Sequence, residues 1–426
     1  MSKPLQGCES YSQDVRRRAR RGAGTLHLAR ATTFNDVTID EEGMQAVGDV
    51  ERLARLTSYL AGDPDNDALR QEVFDLALAC GRRDVAGEQI GWATSRDAAN
   101  APWRHRHALL ELARDRWAQA EALLHELVEE GHSAPAVVFN LAVAEFGQNK
   151  FDAAIERLRP LLVHSEPLLR DALQLTLQCL HRLHLLDEAV ALLERFDADA
   201  GAGSLGVGSL IALDLGDLDR VERFAQRALA RDPAQHEALV ALGSLLVARR
   251  EAADALQHLE LAARLHPADG RTLSALGMAQ LLTERLQAAR ETFSEAVQRM
   301  PSHIGTWHGL AWSCVLQRDL IGARDAFDHA LALNRGFGES HGGLAVVDAL
   351  QGDRAAAQLG IERALRLDPL GLSARYAQAV LSGDAADPER FARLARRVLG
   401  ARHDVQGRVL SDMVLVHAPG DSAARP

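Results

Sequence analysis

The side chains best suited to metal or nucleophilic chemistry in this sequence are its 17 histidines and its four cysteines. The cysteines are Cys8, Cys80, Cys179 and Cys314. They lie far apart and form no CxxC pair, which argues against a disulfide framework and against a zinc site. His181 and His184 share a helical face, but a metal would need further ligands from elsewhere. We therefore expect reduced, packed thiols, surface histidines, no metal and no cofactor.

A second histidine group spans two neighbouring segments and includes His303, His308 and His341. These imidazoles could shape a pocket in a regulatory or ligand-sensing subunit. The sequence contains no Gly-rich phosphate loop, no GxSxG elbow and no HExxH motif. The stretches that no repeat covers are too short for a catalytic domain. The sequence therefore predicts a protein that is not an enzyme and has no catalytic residues.

The composition indicates helices with small and aliphatic core residues. Apolar residues make up 47% of the 426 positions but aromatic residues only 4%. Alanine and leucine therefore do the packing, and both favour helix. The formal net charge of −11 argues against a nucleic-acid binder, which would present a basic surface. Residues 1–30 are an exception, with seven Lys or Arg against two Asp or Glu.

Targeting signals are not evident. No run of about 18 apolar residues occurs, so no membrane span is predicted. The basic stretch "RRRARR" at 16–21 is followed by a segment too polar for a twin-arginine export signal. We expect a cytoplasmic protein.

Proline recurs with a fixed period in the second half of the chain. Pro233 and Pro267 are 34 residues apart, Pro301 follows after another 34, and Pro369 after a further 68. Between Pro301 and Pro369, the same period would place a proline at position 335, where the chain has Arg335. A fixed period of this length is the signature of a helical repeat array.

Other positions keep the same register. Small residues recur in two columns, larger apolar residues in a third, and Leu followed by Gly or Ala in a fourth: Ala255, Ala289, Ala323, Ala357; Ala262, Ala296, Ala330, Ala364; Leu259, Phe293, Phe327, Ile361; Leu242–Gly243, Leu276–Gly277, Leu310–Ala311, Leu344–Ala345. Each unit has the apolar spacing of two short helices. The small columns allow neighbouring helices to cross closely, and proline ends the second helix.

These residues resemble the tetratricopeptide repeat family. The likeness is strongest over 236–371, good over 202–235, and weaker upstream, where 139–158 is a clear member. It implies an all-α fold, an α-α superhelix built as a right-handed solenoid of about ten helix pairs. The RNA-binding pentatricopeptide family is disfavoured by its 35-residue period and by the acidic charge of this chain.

The register divides the chain into six segments. They are a basic, flexible arm (1–48), an N-terminal capping helix (49–66), degenerate repeats (67–201), regular repeats (202–371), a degenerate C-terminal capping repeat (372–405) and a tail (406–426). The junctions between 135 and 235 slip by a residue or two. The Gly-rich stretch 197–209 is either a hinge or a tolerated loop variation.

In the resembled family, the first helices line a concave groove that binds extended or helical peptides. Projection of that groove onto this chain gives candidate contact residues: Phe139, Val143, Phe146, Glu237, Ser244, Arg271, Met278, His308, Trp312 and Glu339. Aromatic, Met and Arg side chains are typical interface anchors, although apolar stripes on helices are as often core. The Lys and Asn of the family's carboxylate clamp are absent, so chaperone-tail binding is not expected.

The basic arm is a second candidate contact. Its arginines are Arg16, Arg17, Arg18, Arg20 and Arg21. They could tether an acidic partner or simply form a solvated tail.

Three functions remain open at this point. The leading hypothesis is a scaffold or adaptor that binds a protein or peptide, in the service of a bacterial secretion or assembly system. The alternatives are a subunit that senses a ligand or regulates an enzyme, and an accessory that feeds protein substrates to a transferase.

Overall fold

The computed structural model describes residues 41–163 and 167–386. In these residues the chain is helical throughout, with two short 3-10 turns and no strand. The first nine helices are α1 (Glu41–Gly62), α2 (Asp67–Ala79), α3 (Arg83–Arg96), α4 (Ala101–Ala113), α5 (Trp117–Glu129), α6 (Pro135–Gly147), α7 (Phe151–Leu158), α8 (Leu169–Arg182) and α9 (Leu186–Arg195).

The remaining helices are α10 (Ala202–Leu215), α11 (Leu218–Leu229), α12 (His236–Ala248), α13 (Ala252–Leu265), α14 (Gly270–Leu282), α15 (Leu286–Arg299), α16 (Ile304–Leu316), α17 (Leu320–Leu333), α18 (Gly338–Gln351), α19 (Arg354–Leu367) and α20 (Leu372–Ser382). No described helix is both long enough and apolar enough to cross a membrane. The expected all-α class is confirmed.

The helices form consecutive pairs. From α2/α3 to α18/α19, nine pairs follow one another in the described residues, and α20 begins the next one. From α2 to α9 and from α11 to α20, consecutive helices pack against each other, so that a second helix contacts both its partner and the first helix of the following pair. The predicted stack of about ten helix pairs agrees with this arrangement.

A residue in the left-handed backbone region ends the first helix of each of the nine pairs. Glycine takes this role at three of the nine turns, as at Gly352 (φ 85°), but an ordinary side chain takes it at the others, as at Asn149 (φ 60°) and His184 (φ 57°). The left-handed residues follow one another at intervals of 34, except for 35 between Asn149 and His184 and 32 between His184 and Gly216. These two intervals confirm the predicted slips in the register.

Size matching between neighbouring pairs explains the small columns. The ring of Phe293 in α15 is fully buried and lies against both Gly277 of α14 and Gly309 of α16. A Cβ atom at Gly309 would lie 2.4 Å from the ring. Phe327, one repeat later, meets Gly343 of α18 in the same way, at 2.3 Å from an added Cβ. The bulky ring and the missing side chain are therefore complementary features of one packing unit.

In repeats where a smaller residue replaces the phenylalanine, alanine replaces the glycine that the ring would contact. Leu259, one repeat before Phe293, has Ala275 in the register of Gly309. Ile361, one repeat after Phe327, has Ala377 in that register. The total volume at the contact is thus kept nearly constant along the chain, as close packing requires.

The chain divides into two compact units between Ser204 and Leu205. This division lies in the Gly-rich stretch 197–209, whose role as a hinge stays a prediction. The first unit contains helices α1 to α9 and the second contains α11 to α20.

Candidate partner-binding surface

The first helices of the second unit lie side by side. Each of α12, α14, α16 and α18 contacts the next first helix, whereas the described second helices make no comparable contact with one another. The approach is closest between α18 and α20, where a Cβ on Gly342 would lie 2.7 Å from the backbone nitrogen of Ala374. Because the first helices are closer together, they form the inner face of this unit. We call this surface the first-helix face.

An apolar column runs along the first-helix face. Ser244, Met278 and Trp312 occupy the same register position on α12, α14 and α16. The side chain of Met278 is 37% exposed. Trp312 is half-buried, with its ring edge-on to Phe327 at 6.0 Å between centroids and tilted against Tyr376 of α20 at 6.0 Å. Tyr376 belongs to α20, which approaches α18 closely at Gly342.

Polar side chains of this face already have partners within the chain. Arg271 of α14 donates to Asp214 of α10 at 2.5 and 3.3 Å, which links first helices two pairs apart. His308 is hydrogen bonded through Nε2 to the hydroxyl of Ser340 at 2.8 Å. Burial lowers the pKa of His308, although the nearby carboxylate of Glu339 opposes this shift.

Glu339 has a structural role that its sequence position did not indicate. Its carboxylate accepts from the backbone nitrogens of Leu372 at 2.6 Å and Ser373 at 3.1 Å, and also from the hydroxyl of Ser373. These nitrogens begin α20, where helical N–H groups lack partners of their own. Glu339 therefore caps the following first helix and has little capacity left for a ligand.

The candidates in the first unit lie deeper than the sequence indicated. Phe139 and Val143 of α6 are only 7% and 4% exposed and belong to the hydrophobic core. Phe146 is half-buried, with its ring edge-on to Phe151 at 5.5 Å. These side chains stabilise the contact between helices and offer a partner little free surface.

Two further candidates lie on α12. Glu237 is half-buried and accepts from the amide of Gln235 at 2.5 Å. Ser244 is half-buried at the start of the apolar column. The arginines of the basic arm, at 16–21, lie outside the described residues.

The three grouped histidines face different partners. His303 begins α16, where its Nδ1 accepts from the backbone nitrogen of Thr306 at 3.2 Å. His341 is buried and donates through Nε2 to the carbonyl of Arg335 at 3.0 Å. His308 lies on the first-helix face. Within the described residues, no group of His, Cys, Asp and Glu has the geometry to hold a metal.

Sequence reasoning missed two members of this surface, Asp214 and Tyr376. Tyr376 shares the register position of His308, two repeats later, so the column itself would have pointed to it. No comparable signal marks Asp214, because its contact with Arg271 depends on the curvature of the stack.

The sequence matches no protein-family model and no curated protein. Solved structures of helical repeat proteins are similar to parts of the chain. PilF of Pseudomonas aeruginosa is 20% identical over 49% of this chain and 96% of its own, with a TM-score of 0.41. YrrB, described as a TPR protein with an unusual peptide-binding site, is 18% identical over 45% of this chain and 97% of its own, with a TM-score of 0.36. MamA is 20% identical over 37% of this chain and 92% of its own, with a TM-score of 0.34.

The repeat architecture is evident from the chain's own regularity. A 34-residue period, antiparallel helix pairs, a left-handed residue at each internal turn and matched small and bulky columns recur along the chain. This chain is an array of consecutive helix pairs whose 34-residue period resembles that of tetratricopeptide-type repeats.

Proposed function

We propose that the protein is a non-catalytic scaffold or adaptor that binds a protein or peptide segment on the first-helix face of its second unit. The observation that carries this proposal is the column of Met278 and Trp312, with Tyr376 beside it. Met278 is exposed on a face where the surrounding polar side chains are already paired.

Burial of apolar surface would supply most of the binding energy. Each Å² of apolar surface removed from water contributes about 25 cal/mol before the costs of association. Methionine and aromatic side chains concentrate this energy because they are large, and methionine also adapts its shape to the partner. The paired Arg271 and Asp214 flank the column with charges already fixed in position, which favours one orientation of a bound segment.

The test compares two charge insertions at exposed apolar positions. Met278→Glu places a carboxylate in the column, whereas Ile321→Glu places one on α17, where Ile321 is 83% exposed. Both variants gain one negative charge, so their net charges match. Each protein is used to co-purify partners from the source cells.

We expect a specific partner to remain with the wild type and with Ile321→Glu and to be lost with Met278→Glu. Retention by both variants would place binding elsewhere on the chain and would contradict the proposal. A partner from a secretion or assembly system, and a cytoplasmic location, stay predictions that the identity of the captured protein would test. Ligand sensing stays the alternative, and its sign would be thermal stabilisation by a small molecule in the absence of any protein.

A further inference from the structure

A cleft separates the second helices α17 and α19 at the far side of α18. It has a volume of about 630 Å³ and continues into a neighbouring space of about 500 Å³. Arginine side chains line it at Arg335, Arg363 and Arg366, and aliphatic side chains line it at Leu331 and Leu367. Most of its lining residues lie on the second helices α17 and α19, and it includes none of Met278, Trp312 and Tyr376 of the first-helix face.

Two of the lining residues depart from the pattern of the repeats. Arg335 occupies the register position that proline holds in the neighbouring repeats, as at Pro301 and Pro369. His341 occupies a position that is apolar in the preceding repeats, as at Leu273. Proline and an apolar residue satisfy the packing of the other repeats, so packing alone does not require Arg335 or His341 here.

These two unusual residues, Arg335 and His341, are in direct contact. The buried His341 donates through Nε2 to the backbone carbonyl of Arg335 at 3.0 Å. This hydrogen bond fixes the turn between α17 and α18 that carries the guanidinium of Arg335. Arg363 and Arg366 lie three residues apart on α19, so their side chains project from the same face of that helix.

Three guanidinium groups of the cleft differ from those of Arg290 and Arg324, which form ion pairs on the second helices. Arg290 of α15 donates to Asp319 at 2.5 Å, and Arg324 of α17 donates to Asp348 at 2.5 Å. Arg335, Arg363 and Arg366 have no such ionic partner among the residues that the structure describes.

Two carboxylates moderate the positive charge of the cleft without cancelling it. Asp328 and Glu362 line it beside the three arginines. The local excess is one positive charge, because the pair of Arg324 and Asp348 is neutral. This excess stands in a chain whose net charge is −11.

We propose that this cleft binds a short acidic segment of a partner protein that also carries aliphatic side chains. Carboxylates of the segment accept from Arg335, Arg363 and Arg366, since guanidinium groups match the geometry of carboxylates. Aliphatic side chains of the segment pack against Leu331 and Leu367. The protein thus has a second peptide site, of a different chemistry from the apolar column on its first-helix face.

Charge complementarity selects this occupant. The arm of this chain is itself basic and would be repelled by the arginines. A long polyanion such as a nucleic acid would meet the acidic remainder of the chain beyond the cleft, whereas a short acidic segment contacts the arginines alone. The aliphatic lining also has no counterpart in a phosphate backbone.

The experiment selects peptides from a displayed random library on the full-length protein. The test variant is Arg335→Glu/Arg366→Glu. The control is Arg250→Glu/Arg264→Glu, which changes the net charge equally, and Arg264 shares the register position of Arg366 three repeats earlier. Selected peptides are then synthesised and their affinities measured by fluorescence anisotropy, with a single-stranded oligonucleotide as the competing probe.

We expect the wild type and the control to select peptides rich in Asp, Glu and Leu. The test variant should bind those peptides at least about tenfold more weakly, since it removes hydrogen bonds to charged groups. It should also select basic peptides in their place. Equal affinity of the acidic peptides for the wild type and the test variant would overturn the proposal. So would a selected set without acidic bias, or an oligonucleotide that binds the wild type more tightly than the peptides do.

Discussion

The contact between Phe293 and Gly309 offers a quantitative test of how the repeats pack. In Gly309→Ala, the new Cβ would lie 2.4 Å from two ring atoms of Phe293, about 1 Å closer than ordinary contacts between carbon atoms. The ring cannot withdraw, because its other side lies against Gly277. The neighbouring helices α15 and α16 must therefore separate or shift.

Two opposing effects set the magnitude. An extra methyl group in a well-packed core costs about 1–3 kcal/mol, whereas alanine in a helix interior is favoured over glycine by about 1 kcal/mol. The difference is a net destabilisation of about 0–2 kcal/mol, and we expect a value near 2 because the ring is confined on both sides. Gly91→Ala is the matched control, because Gly91 of α3 has no atom within 4 Å of an added Cβ. It should stabilise the protein by up to about 1 kcal/mol.

The double variant Phe293→Leu/Gly309→Ala reproduces the pair that the chain already has at Leu259 and Ala275. Because the smaller side chain makes room for the methyl group, the double variant should be more stable than the sum of the two single changes predicts. Residues in contact typically couple by about 0.5–3 kcal/mol. Urea unfolding followed by circular dichroism measures the wild type, the two single variants, the double variant and Gly91→Ala. Additive single effects, or a Gly309→Ala variant that is as stable as Gly91→Ala, would refute this account of the packing.

Three further predictions concern stability and reactivity. Burial lowers the pKa of His308 from 6.5, so the unfolded chain binds more protons and the free energy of unfolding should fall as the pH drops below about 6.5. In His308→Asn the difference between the unfolding free energies at pH 7.5 and 5.5 should be smaller, and an unchanged difference would contradict this prediction. Burial raises the pKa of the Cys179 thiol to about 12, so a thiol reagent at pH 8 should modify the half-buried Cys80 before Cys179, which should react only on unfolding. Peptide mass spectrometry would show this order. Glu339→Ala should cost about 1 kcal/mol and speed hydrogen exchange at the start of α20, and an unchanged exchange rate there would contradict its capping role.

The repeating features of this fold could be predicted from the sequence because each depends on local geometry. The proline period, the small columns and the slips in the register all follow from residues within one or two helices of one another. The paired helices and the displaced left-handed turns at His184 and Gly216 agree with those predictions. Repetition makes these features easier to predict, since the same packing pattern recurs in several repeats of the sequence.

Contacts of the candidate surface were harder to predict because they join residues on different repeats. Phe139 could contact a partner or pack in the core, depending on how closely the neighbouring helices approach it. The spacing of apolar residues along one helix does not determine that approach. The cap that Glu339 places on α20 requires the close approach at Gly342. The contact between Arg271 and Asp214 spans 57 residues and has no signal in the register.

Site-specific crosslinking at Met278 directly tests whether a partner binds on the first-helix face. A photoreactive side chain is placed at position 278 in one protein and at position 321 in another, and each is irradiated with the co-purified partner. We expect a discrete adduct from position 278 that maps to one segment of the partner, and none from position 321. An adduct from position 321 alone, or equal adducts from both positions, would contradict binding on the first-helix face.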